Sequence, residues 1–178
     1  MTLLVIDVQK ALMCDELYDY QCFLKRITRL INIARKNNVE VIYFQHDAGK
    51  GSGFSQGDEG FEIFDQVKPL KEEKIFIKTI NSCFGNSEFA NYLEKKNEKE
   101  LMIIGLQTDF CIDATIKSAF ERGFKVYVPK GTNSTFNNKI LSGKKVYKFY
   151  NEWVWPDCFA NCISMQDAVR LLKNDIKY

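Results

Sequence analysis

The sequence has a single histidine, His46, in 178 residues. A papain-like Cys–His pair would have to use that one imidazole, and nothing in the sequence places His46 beside a cysteine. The chain also lacks a charge excess. Its 25 Lys and Arg against 23 Asp and Glu leave a net charge of +2. That removes the electrostatic reason to expect nucleic acid or an anionic membrane as partner. No segment approaches the roughly 20 consecutive apolar residues that span a bilayer. The chain opens on Leu3-Leu4-Val5-Ile6 without a basic region or a small-residue cleavage site. No signal peptide is therefore expected, and a cytoplasmic location is. There the six cysteines would be reduced, and a chain 46% hydrophobic needs no disulfide framework. Low-complexity and disordered character are absent as well.

What is present is an alternation of strands and helices. Residues 2–8 form a short apolar run with no turn-forming glycine or proline inside it, which reads as a buried strand. Residues 19–37 carry Phe23, Ile27, Leu30, Ile31 and Ala34 at helical spacing among basic residues. Strands are expected at 39–44, 74–78, 101–105 and 125–128, with a possible last one at 159–163. Further helices are expected at 86–96 and from about Cys111 to Arg122. A capping box, Ser164 to Asp167, opens a final helix to about Lys173. The Gly-rich segment 46–60 reads as a loop, either a lid, a set of tight turns or a subunit contact. Residues 139–157 are ambiguous. Their aromatic stretch 147–155 suits an oligomer interface or packing within the chain equally. Continuous apolar strands alternating with helices argue for a doubly wound α/β fold with a mostly parallel sheet, in one domain spanning 1–178.

In such sheets ligands lie beyond the carboxyl ends of the strands. Polar residues stand there: Asp7 and Gln9 at the end of the first strand, His46 and Asp47 at the end of the second, Lys78 ending the third. The segment Gly105 to Cys111 follows the fourth. Taken singly, Asp7 reads as a helix cap, Lys78 as a snorkelling surface residue and Cys111 as a small core residue. Their coincidence at one sheet edge suggests a nucleophilic thiol, an acid–base carboxylate and a cation. Cys111 in the first turn of a helix would gain thiolate character from the dipole and from an adjacent ammonium. The thiolate would attack a carbonyl, Asp7 would shuttle the proton, and backbone N–H groups of the Gln107–Cys111 turn would hold the oxyanion. Cys22, Cys158 and Cys162 have no recognisable reactive setting. Nor do Cys14 and Cys83, although these two would fit near a pocket mouth.

Three blocks then resemble the isochorismatase-like cysteine hydrolases. They are LLVIDVQ at 3–9, FIKTINSCF at 76–84 and GLQTDFCIDATIKSAFERGFKVYV at 105–128. HDAGKGSGF at 46–54 and GFEIF at 60–64 resemble the linking segment, and the likeness extends from residue 2 to about 136. The resemblance implies a six-stranded parallel sheet of Rossmann-like order in a three-layer α/β/α arrangement, and a dimer or larger homo-oligomer. It implies an Asp7–Lys78–Cys111 catalytic triad. It implies a cis peptide between Leu106 and Gln107, with the Gln107 and Cys111 N–H groups as oxyanion hole. Isochorismatase itself lacks the nucleophilic cysteine, so Cys111 points to amide-type hydrolysis of a small molecule. Nicotinamidases of the family build a metal site from one Asp and two His. With His46 alone that set is incomplete, and no metal or other cofactor is expected. Gln9, His46, Asn81, Phe84, Thr108 and Phe110 are candidate pocket residues, Phe84 and Phe110 being equally readable as core. The alternatives are a nicotinamidase-like deamidase, a non-catalytic binding protein on the same fold, or a thiol redox sensor, which would need a resolving cysteine that no C-x-x-C spacing supplies.

Overall fold

The structure, a computed structural model, describes residues 1–174. Its strands are β1 (Thr2–Ile6), β2 (Glu40–His46), β3 (Lys74–Lys78), β4 (Glu100–Leu106), β5 (Lys125–Pro129), β6 (Asn133–Ser134) and β7 (Asn161–Ile163). Its α-helices are α1 (Tyr20–Lys36), α2 (Ser87–Lys95), α3 (Asp113–Glu121), α4 (Gly143–Phe149) and α5 (Met165–Leu172). The strands run β3-β2-β1-β4-β5-β7, β6 pairs with β4, and every pairing is parallel. The doubly wound parallel sheet is thus as expected, with seven strands where six were anticipated. The extra strand, β6, is two residues long and lies in a polar stretch, so no apolar run announces it.

The continuous apolar character of the inner strands has a direct cause. Leu3 and Val5 of β1 face a core built with α1 and α5, while Leu4 and Ile6 face a second core built with α2 and α3. All four are fully buried. Alternate residues point to opposite faces, so a sheet covered on both faces needs apolar residues at every position. Each such side chain contributes about 1.5–3 kcal/mol on burial. Local signals agree with this packing. The Asn86 side chain caps α2 by accepting from Phe89 N, and Ser164 caps α5 by accepting from Asp167 N.

Two segments differ from expectation. The helix foreseen from Cys111 starts as a π-helical turn over Thr108–Ile112, and regular α-helix begins at Asp113. The ambiguous stretch 139–157 contains α4 and a second π-helical turn, Tyr150–Val154. Tyr147 and Trp155 pack inside the chain, whereas Phe149 and Trp153 are exposed. Among the described residues no helix is long and apolar enough to cross a membrane.

The two-core arrangement predicts that Leu4→Ala lowers unfolding free energy by about 2–5 kcal/mol. The exposed Ile140→Ala should move it by less than about 0.5 kcal/mol. Urea denaturation of both variants checks this.

Candidate active site

Strand register collects the polar residues. His46 at the end of β2 stands opposite Lys78 at the end of β3, and Ile6 at the end of β1 lies between Phe44 and Gly105. The next residue, Asp7, keeps the ladder going by donating its N–H to Phe44 O, while its φ of +52° turns the chain out of the strand. Asp tolerates this left-handed conformation better than most side chains. On the other side β4 must approach closely. Gly105 has φ +125°, and a Cβ there would lie 2.0 Å from Ile6 O. The peptide bond between Leu106 and Gln107 is cis, and the π-helical turn that follows carries Cys111.

The three side chains meet at the Lys78 ammonium. Its Nζ donates to Asp7 Oδ2 at 2.7 Å and to Cys111 Sγ at 3.2 Å, and lies 3.3 Å from His46 Nδ1. Lys78 and Asp7 are 0% and 1% exposed in their side chains. The other carboxylate oxygen, Asp7 Oδ1, is buried without a hydrogen-bond partner among the described residues. Cys111 Sγ also faces Asn81 Oδ1 at 3.7 Å, and Asn81 itself is exposed. Asp7, His46 and Cys111 each present a ligand atom, all within 4.8 Å of one another. Since the Lys78 ammonium is within reach of all three, the cation this group faces is the chain's own.

Electrostatics follow from burial and from that cation. Burial raises the Asp7 carboxyl above its ordinary range although Lys78 opposes the shift, which makes Asp7 a stronger base than a surface carboxylate. Burial acts against the Lys78 ammonium, but Asp7 foremost, together with Cys83 and Cys111, outweighs it and lifts its pKa. The Cys111 thiol is pushed up to about 12, by burial first and by the negative charge of Asp7 second, Lys78 only partly offsetting them. Burial and the Asp7 carboxylate thus work against the thiolate that a helix end and an adjacent ammonium alone would favour.

Other candidate residues divide. Gln9 is fully buried and its amide is saturated. Nε2 donates to His46 O and Phe61 O, and Oε1 accepts from His46 N. Thr108 is fully buried and donates to Asn133 Oδ1. Neither offers a group to a pocket. Phe84 is core, packed against Phe89 and Phe124. Phe110 is 51% exposed on the turn that carries Cys111. Segment 46–60 is folded by its own turns, with Ala48 N bonded to Phe54 O and Asp47 accepting from Gly49 N and Ser55 Oγ. Cys83 is fully buried and its thiol is pushed far up by burial. Sequence reasoning missed the network behind the cysteine turn. There Asn133 and Asn151 pair through their amides, Thr108 joins them, and Asp109 accepts from Thr135. The only signal was a cluster of Asn and Thr in a segment without periodicity.

Comparison with known proteins follows this geometry. The family model described as Isochorismatase domain matches residues 1–140. An isochorismatase family protein of Bacillus subtilis (strain 168), YrdC, is 32% identical over 138 residues, covering 75% of this chain and 73% of its own. Nicotinamidase 3 of Arabidopsis thaliana is 26% identical over 131 residues, 66% of each chain. The crystal structure of a cysteine hydrolase from Pseudomonas syringae pv. phaseolicola has a TM-score of 0.89. It covers 98% of this chain and 93% of the other at 20% identity, a likeness of fold.

A buried carboxylate that depends on one ammonium gives a stability prediction. Lys78→Met should cost about 3–5 kcal/mol by leaving Asp7 uncompensated. The double variant Lys78→Met/Asp7→Asn should recover a large part of that loss, as measured by urea denaturation at pH 7.

Proposed function

The chain belongs to the isochorismatase family of hydrolases, and from that premise we propose that it cleaves a C–N bond of a small carboxamide, ureido or related compound through a Cys111 thioester. The observation that carries this reading is the Lys78 ammonium bridging Asp7 Oδ2 and Cys111 Sγ while the second oxygen of Asp7 stays free. A binding module has no use for a saturated cation holding a thiol beside an unpartnered buried carboxylate oxygen.

In the proposed cycle the Cys111 Sγ–H proton passes to the free Asp7 oxygen as the S–C bond forms. The carbonyl oxygen takes the displaced electron pair and is held by the Gln107 and Cys111 backbone N–H groups. Collapse breaks the C–N bond, and Asp7 returns the proton to the leaving nitrogen. Water then adds to the thioester and loses a proton to Asp7. The C–S bond breaks, a carboxylate leaves, and Sγ regains its proton. Lys78 stays charged throughout and offsets the negative charge that moves between Asp7 and Sγ. No step calls for a metal or other cofactor. The thiol is kept neutral until a carbonyl is in place, so a raised resting pKa does not oppose the chemistry. Asn81 and Phe110, beside the thiol and exposed, are the groups proposed to meet substrate. Nicotinamidase-like deamidation is one case of the same chemistry, favoured by the similarity to Nicotinamidase 3. A single domain, a cytoplasmic location and a homo-oligomer of two or more subunits belong to the same proposal.

An activated ester such as p-nitrophenyl acetate tests the cycle without knowledge of the natural substrate. A stoichiometric burst is expected, with the acetyl group found on Cys111 by peptide mass spectrometry. Cys111→Ala should abolish it. Acetyl groups distributed over other cysteines or lysines, with Cys111 unmodified, would put the binding-protein reading ahead.

A further inference from the structure

The ammonium of Lys78 has three N–H donors. Two of its three neighbours, Asp7 Oδ2 and Cys111 Sγ, belong to the proposed chemistry, and the third is His46 Nδ1 at 3.3 Å. Because an ammonium can only donate, this ring nitrogen must be the one without a hydrogen. We propose that His46, previously considered for the pocket wall, is a positioning residue: a neutral Nε2–H imidazole that takes the third hydrogen of Lys78. The ammonium is thereby kept from bridging both oxygens of Asp7.

Three observations support this. First, the backbone of His46 is clamped by Gln9, whose amide bonds both its N–H and its C=O and also reaches Phe61 O. A fully buried glutamine two residues beyond Asp7 thus holds both backbone groups of His46. Second, the Phe54 ring stacks on the imidazole at 6.0 Å between centroids, with planes 29° apart. Third, Asp7 Oδ1 is without a partner although it shares a carboxylate with Oδ2, which Lys78 contacts. An ammonium with an idle hydrogen would turn it toward that oxygen, and a carboxylate bridged on both oxygens is a poorer proton acceptor. The electrostatics agree. Burial first and the Lys78 ammonium second lower the pKa of the imidazole, with the Asp7 and Asp47 carboxylates and the Ile80 backbone opposing. Burial and Asp7 push up the Cys111 thiol, within 4.8 Å. Protonating His46 would set a second cation against Lys78, so acylation should fall as pH drops through the lowered His46 pKa.

This inference rests on the proposed cycle for its consequence but not for its first test. His46 is the chain's one histidine, so the full-length protein labelled with 15N-histidine gives a single imidazole to read by NMR. At pH 7 the expected state is the neutral ring with hydrogen on Nε2 and none on Nδ1, titrating below the ordinary value of 6.5. Lys78→Met should raise that titration point. A hydrogen on Nδ1, or an imidazolium at pH 7, overturns the proposal whatever the enzyme does. The second test is the p-nitrophenyl acetate burst at Cys111. His46→Asn keeps an acceptor on Cγ and should acylate within about threefold of the parent. His46→Leu should be about tenfold slower and should keep only the part of the acidic limb that comes from protonation of Asp7, its thermal unfolding being measured alongside. Equal rates and pH profiles for His46→Leu and the parent overturn the positioning role. Absence of acylation in the parent itself strikes the proposed cycle and leaves the tautomer measurement to judge His46.

Discussion

A single buried ammonium, that of Lys78, sets the state of every group around it. Two opposite charges removed from water cost several kcal/mol in desolvation, and their attraction repays this only when their geometry is tight and their other bonds are satisfied. Lys78 meets that condition with three polar neighbours within 3.3 Å, while Asp7 meets it with one oxygen only. In the proposed cycle, the unpartnered Asp7 Oδ1 is what turns this ion pair into a base. The same arrangement pushes up the thiol's pKa: the carboxylate that would deprotonate it also repels the thiolate.

Topology brings these groups together without requiring them to be near in sequence. Asp7, His46, Lys78 and the Cys111 turn stand at the carboxyl ends of β1, β2, β3 and β4, four neighbouring strands of a parallel sheet whose carboxyl ends all lie on one side. The two cores on the sheet faces fix the strands against slippage, since a shift of one residue would reverse which side chains meet each core. Register then decides which side chains face each other, His46 against Lys78 being the clearest instance. The close approach of β4 to β1 at Gly105 brings the cysteine turn against Asp7.

Much of this was legible in the sequence, and the reasons are specific. Apolar runs gave the inner strands because both faces of each are buried. Helical periodicity gave α1 to within a residue at each end, and capping residues gave α2 and α5. The strand-end rule picked out Asp7, Lys78 and Cys111 as a group, and the structure brings them into contact. The chemistry of burial was less legible. The Cys111 thiol is desolvated and sits next to an anion, which outweighs the helix-end effect that the sequence suggested. Gln9 and Thr108 looked like pocket residues because they neighbour the triad in sequence, but each points into the protein and is used up in holding backbone or turn. The Asn133–Asn151 pair and β6 had no apolar pattern to reveal them.

The central claim is that Asp7 holds the Cys111 thiol protonated at rest and takes its proton only when a carbonyl is being attacked. The most direct measurement is the alkylation rate of all six cysteines by iodoacetamide across pH 6–10, resolved by peptide mass spectrometry, in the parent and in Asp7→Asn. Removing the carboxylate leaves Lys78 as the only charge beside the thiol, so the Cys111 pKa should fall and its alkylation at pH 7 should accelerate. Hydrolysis of an amide, which in the proposed cycle needs Asp7 to protonate the leaving nitrogen, should be lost in the same variant. Those opposite signs are what the account predicts. A Cys111 that alkylates rapidly at neutral pH in the parent, or one indifferent to Asp7→Asn, would contradict it.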